Sequence, residues 1–213
     1  MKNLKMVLII CVCVAAIVGV SVLGTLAWLT DTDAVTNTMT VGKVSIIVDE
    51  ADVTSAGVLI PGASRVKGNE YHLIPGKTYV KDPTMTVAGD SEAAYVRMLL
   101  TLNCKTALDA IFDPGVVLDS IFLGYDAASW IYKGETVDTV ADTITYEFRY
   151  KEIVVPNGTD VELVALFDSF TVPGDLDGAD LEAIKDLEIT VVGHAIQAEG
   201  FQTEDAAWAM FDQ

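Results

Sequence analysis

The chain has 213 residues, about half of them hydrophobic, with 31 acidic side chains against 13 basic ones and a formal net charge of −18. That is one domain's worth of chain with ample material for a core. The charge repels nucleic acid and anionic lipid, which argues against a nucleic-acid partner. Of the three cysteines, Cys11 and Cys13 lie in an apolar N-terminal run, so Cys104 has no intrachain partner for a disulfide in the remainder.

The N-terminus reads as an export leader. Lys2 and Lys5 make a short positive start, residues 6–23 are an unbroken run of apolar and small side chains, and Thr25-Leu26-Ala27 is a small-x-small cleavage pattern. We expect cleavage between Ala27 and Trp28. The competing reading is an uncleaved anchor, because about 20 apolar residues can span a bilayer. Cys11 stands at the front of the apolar run, which argues against a lipoprotein, and there is no Leu-Pro-x-Thr-Gly sorting signal. The expected product is secreted, without a stable membrane anchor, and carries 11 basic and 31 acidic residues from Trp28 onward.

Residues 39–48 are rich in β-branched side chains and predict a strand ending at Asp49-Glu50. Residues 51–70 read as a polar loop. A short strand over 71–74 stops at the turn signal Pro75-Gly76, and 78–87 resumes strand character, with Pro83 pointing to a sheet edge. Residues 94–103 predict a strong strand. Its Tyr95, Met98, Leu100 and Leu102 cannot all share one face, so cover is expected on both. Cys104, next in line, reads as a small buried hydrophobe. Residues 106–112 and 116–123 read as short helical insertions parted by Asp113-Pro114-Gly115. Strand pattern returns over 129–133 and over 143–150, where Ile144, Tyr146, Phe148 and Tyr150 alternate. Pro156-Asn157-Gly158 predicts a turn, 160–172 a long strand, 173–180 an acidic loop, 181–187 a helical turn and 188–197 a last strong strand. Thr203 suits the cap of a terminal helix over 206–211.

About eight strands without βαβ alternation argue for an all-β fold with short helical insertions, a two-sheet, jelly-roll-like sandwich preceded by a signal peptide. The expected organisation is a signal peptide over 1–27, an N-terminal arm over 28–41 and the sandwich domain over 42–213.

Three stretches, in order, carry a resemblance. The first is Gly24-Thr25-Leu26-Ala27-Trp28-Leu29-Thr30-Asp31-Thr32-Asp33 with Asn37-Thr38-Met39-Thr40-Val41-Gly42-Lys43. The second is Leu73-Ile74-Pro75-Gly76-Lys77 with Lys81-Asp82-Pro83-Thr84-Met85-Thr86-Val87. The third is Ala195-Ile196-Gln197-Ala198-Glu199-Gly200-Phe201 followed by Ala206-Ala207-Trp208. Together they resemble the TasA/camelysin family, exported by Gram-positive bacteria through a dedicated SipW-type signal peptidase.

The resemblance implies a secreted jelly-roll protein of the biofilm matrix or cell surface, with that peptidase as its partner during export. In fibre-forming members the segment freed by cleavage adds as a strand to the next subunit. The matching donor residues here are Trp28, Leu29, Thr30, Asp31, Thr32 and Asp33. Residues 31–38 are polar and cannot form a core unaided, yet they lead into a β-prone stretch. Strand addition needs mainly backbone hydrogen bonds, and a head-to-tail contact of this kind propagates into a filament. The expected assembly is therefore a homo-oligomeric fibre. Two features depart from the family: lysine is scarce, and 105–139 has no counterpart. The alternative is a monomeric secreted adhesin or ligand-binding module, using Tyr125, Trp130 and Tyr132 as aromatic contacts.

Camelysins have been regarded as metalloproteases, which makes that the third reading. Zinc proteases place two histidines at helical spacing with a glutamate between them. This chain has only His72 and His194, far apart and in strand-like contexts, and no His-Glu-x-x-His. Nothing near Cys104 suggests an activated thiolate, and there is no Gly-x-Ser-x-Gly elbow. We expect no enzyme and no cofactor. The one metal-like cluster is Asp175, Asp177, Asp180 and Glu182, spaced around Gly178 like the start of a calcium loop but without its distant bidentate glutamate. The plainer account is a solvated acidic turn with Asp180 capping the following helix.

Overall fold

A computed structural model of the chain describes residues 6, 42–112, 117–122 and 124–213. Its strands are β1 (Ile46–Asp49), β2 (Thr78–Val80), β3 (Thr84–Val87), β4 (Ala94–Leu102), β5 (Trp130–Asp138), β6 (Thr143–Tyr150), β7 (Val161–Glu162), β8 (Ser169–Thr171) and β9 (Ile189–Gln197). Among the described residues from 42 to 213, short helices accompany them: α1 (Lys105–Ile111), α2 (Val117–Ile121), α3 (Gly178–Ala183) and α4 (Glu204–Phe211). The fold is thus mostly β-strand in antiparallel sheets, ordered β5-β6-β4-β9, β1-β3-β7 and β2-β8.

The four-stranded sheet is built on β4. Alternation turns Val96, Met98, Leu100 and Leu102 to one face, where all four are buried. Register sets Phe148, Tyr146 and Ile144 of β6 directly opposite the last three of these, which builds one apolar layer from cross-strand pairs. On the other side Met98 faces Gly193 of β9. A Cβ at Gly193 would lie 2.4 Å from both Val48 of β1 and Met85 of β3, so glycine admits the sheet carrying those strands to close approach. Leu108, Val117, Ile121 and Phe122 of the two inserted helical turns join the same core.

Several expectations change. Residues 78–87 are two strands in different sheets: β2 pairs with β8 while β3 pairs with β1 and β7. Pro83, which has no N–H to donate, sits in the corner between them. Residues 160–172 likewise split into β7 and β8, because the segment between anchors its backbone elsewhere: Leu163 N–H donates to Met85 O and Leu166 N–H to Pro83 O. Residues 71–74 make no ladder. In the first predicted strand, 46–49 are strand and 42–45 are not; 39–41 lie outside the described residues. β5 runs past its predicted end at 133 through a bulge between Tyr132 and Gly134. On β4, Arg97 rather than Tyr95 is the residue buried on the second face. Cys104 is half-buried at a positive φ of 56° before α1, and burial, with Asp142, Asp186 and Glu188 nearby, pushes its thiol pKa up.

Candidate functional site

The expected cleavage residues Ala27 and Trp28, and the donor residues Leu29, Thr30, Asp31, Thr32 and Asp33, lie outside the described residues. The segment leading into β1 is tied to the turn before β4. Ser45 N–H donates to Ser91 Oγ at 3.0 Å, and Glu92 N–H donates to Lys43 O at 2.9 Å. Ala198 N–H donates to Ala93 O at 2.7 Å, so the turn before β4 also holds the end of β9. Among the described residues β9 ends the four-stranded sheet on the side away from β5, and β1 ends the three-stranded sheet on the side away from β7.

The four acidic residues of the calcium candidate do not converge on a site. Asp177 is the N-cap of α3: its Oδ1 accepts from Ala179 N–H at 2.7 Å and Asp180 N–H at 3.0 Å. Asp180 answers by accepting from Asp177 N–H at 3.0 Å, completing a capping box. Glu182 pairs with Lys185 at 2.8 Å, and Asp175 is exposed. The cap is therefore Asp177 rather than Asp180, and the helix begins at Gly178 rather than Leu181. Among the described residues no group of three or more His, Cys, Asp and Glu side chains is placed to hold a metal ion. Nor is any helix among them long and apolar enough to cross a membrane.

Of the aromatic contacts considered, Trp130 is buried with Nε1 donating to Val164 O at 3.1 Å, and Tyr125 packs on Phe148. Tyr132 is partly exposed beside Tyr146 and Phe148.

Two polar constellations were not legible in the sequence. The first fixes α4 onto the outer face of the four-stranded sheet. Arg97 Nη1 and Nη2 donate to the two carboxylate oxygens of Asp212 at 2.9 and 2.5 Å, and Nε donates to His194 Nδ1 at 3.2 Å. The guanidinium stacks over Trp208 at 4.5 Å, and Trp208 is buried. Arg149 donates to Asp205 at 2.5 Å and Glu204 at 3.3 Å. Hydrogen bonding to Arg97 and Arg149 holds the Asp212 and Asp205 carboxyls below the usual range. Burial, then the neighbouring Arg97 charge, lowers the His194 pKa and favours the neutral ring that accepts from Arg97.

The second constellation lies at the end of β1. Glu50 and Lys81 are buried, 4% and 6% exposed, and pair through Glu50 Oε2. Asn69 Nδ2 donates to the other carboxylate oxygen, Oε1, at 2.9 Å and to Ala51 O at 2.8 Å; its Oδ1 accepts from Val53 N–H at 3.0 Å. Asn69 and Lys81 line one cleft of about 550 Å³ with Tyr71, Leu73, Phe170 and Leu187. Arg65 ties the end of β1 to the β2–β3 corner by donating to Asp49 at 2.6 Å and Asp82 at 2.9 Å. Glu50 and Lys81 are 31 positions apart, and no local spacing connects them.

No family model, no curated protein and no solved structure matches the chain.

Proposed function

We propose that the protein is a secreted structural component of the biofilm matrix or cell surface, a jelly-roll-like domain that polymerises into fibres by donating its N-terminal arm. The reading rests on the leader followed by a polar arm, within three ordered motifs that resemble the TasA/camelysin family. The observation that carries the strand-donation step is the open edge: β9 is nine residues long, terminal in its sheet, and without a second strand neighbour among the described residues. Such an edge offers backbone groups to an incoming strand. The cleft beside residues 187–190 adjoins the start of that strand.

Cleavage after Ala27 by a SipW-type peptidase frees the arm from Trp28, and the arm of one subunit extends the sheet of the next. The protein acts as a building block, not an enzyme, and needs no cofactor. Deleting residues 28–38 is expected to abolish fibres seen by negative-stain microscopy while leaving a folded monomer. Fibres persisting after that deletion refute donation by the arm. A monodisperse protein that keeps its arm favours the adhesin reading, for which Tyr132 is the partly exposed member of the aromatic contacts.

A further inference from the structure

We propose that Lys81 and Asn69 join in an intramolecular amide bond, formed by the chain itself with Glu50 carrying the protons. The two groups are an amine and a carboxamide, and the two oxygens of one buried carboxylate hold them together. A buried ion pair needs excellent geometry to offset its desolvation, and apolar packing is often at least as stable. Here the pair is elaborated with an acyl group, which ion pairing alone does not require.

Each group has a place in the reaction. In a low-dielectric site the proton of the Lys81 ammonium passes to Glu50, leaving a neutral amine as nucleophile. The amine attacks Asn69 Cγ. Charge develops on Oδ1, which already accepts from Val53 N–H at 3.0 Å, an oxyanion donor fixed before reaction. Both ends of the carboxamide are tied, through Glu50, Ala51 and Val53, so its orientation is fixed before reaction. Glu50 then returns a proton to Nδ2, the Cγ–Nδ2 bond breaks, and ammonia leaves; Glu50 takes the second proton from Nζ and passes it to the departing ammonia, which becomes ammonium ion. The new Cγ–Nζ amide keeps one N–H. Carboxamide and ammonium become secondary amide and ammonium ion, with no redox partner. The cleft shared by both residues gives ammonia an exit, and Tyr71 and Phe170 line it with aromatic surface.

The bond would tie the corner between β2 and β3 to residue 69, beside the end of β1. It closes a covalent ring in a chain whose described residues contain a single free cysteine and no disulfide. This inference is independent of fibre formation.

The test is peptide mapping of protein purified from cells expressing the full chain, denatured and digested with trypsin. The expected product is residues 68–77 joined to 78–97, with cleavage after Lys81 lost. Its mass falls below that of the two linear peptides together by one ammonia, which separates it from a missed cleavage at Lys77. Recovery of 68–77, 78–81 and 82–97 as separate linear peptides overturns the proposal. Glu50→Gln keeps the shape but not the proton transfer, and is expected to slow bond formation about a hundredfold. Cross-linking at the wild-type rate in that variant overturns the assignment of Glu50. If the variant does not fold, the wild-type digest still decides.

Discussion

Replacing Gly193 with alanine measures how tightly the strands of the two larger sheets meet. The added Cβ would stand 2.4 Å from Met85 Cε and from Val48 Cγ2, and 3.5 Å from Ile46 Cδ1. Carbon atoms pack best at about 3.5–4.0 Å, so two of the three contacts fall short by more than about 1 Å. Met85 Cε is the end of a flexible side chain that can shift only by repacking, since Met85 is fully buried, while Val48 is β-branched and stiff about χ1. Relief of the Val48 contact calls for moving β1 or β9. Overpacking of this kind costs about 1–3 kcal/mol, which for a chain of this size lowers the melting midpoint by about 2–4 °C per kcal/mol. Urea unfolding followed by fluorescence of the buried Trp130 and Trp208 reads the loss. The Val48→Ala background removes one of the two clashing methyls, so the double variant should recover at least about 0.5 kcal/mol relative to additivity. A Gly193→Ala protein within about 0.5 kcal/mol of wild type, with no coupling to Val48, refutes the close approach.

Acid should loosen α4. Asp212 and Asp205 are held below 3.8 by Arg97 and Arg149, so their contribution is present above that value and is lost as pH falls through their folded pKa values. His194 is held below 6.5 by burial and by Arg97, so its contribution is present above 6.5 and fades as pH falls toward its folded value. All three act in one direction, and the melting midpoint should decline steadily below about pH 6.5; a flat profile from neutral pH into the acid range would count against the latch. Asp177→Ala removes the acceptor for two backbone N–H groups and should cost about 1 kcal/mol. Millimolar calcium should leave the melting midpoint of both proteins unchanged. A calcium-dependent rise in wild type that Asp177→Ala abolishes would restore the metal site.

Strand character was legible wherever one face is buried along a continuous stretch. Ile144, Tyr146 and Phe148 alternate in the sequence because they line one wall of the core, and β4 announces itself through Val96, Met98, Leu100 and Leu102 in the same way. What the sequence concealed is where strands change sheets. Residues 78–87 and 160–172 are β-prone at both ends, yet each divides around Pro83 and Asp168, because the two halves find their hydrogen-bond partners in different parts of the chain. Arg97 escaped notice for a related reason. A charged residue within an apolar strand reads as solvent-facing, and only the arrival of Trp208 and Asp212, more than a hundred positions later, buries it. The Glu50–Lys81–Asn69 cluster likewise draws on three segments whose local patterns say nothing of one another. Thr203, by contrast, accepts from Ala206 N–H at 3.2 Å, because an N-cap is a local device and was visible locally.

The position of β4 has a consequence for how the chain reaches its folded state. Its two neighbours are β6 and β9, and its residues Ala94 to Leu102 lie opposite Gln197 to Ile189. Half of the hydrogen-bonding capacity of the central strand therefore waits for a segment near the far end of the sequence. Closing so long a loop is entropically demanding and slows folding. A polypeptide emerging from its N-terminus can pair β4 with β6 and β6 with β5 first, but one edge of β4 stays unpaired until β9 has arrived, so this sheet is completed only when nearly the whole chain is available.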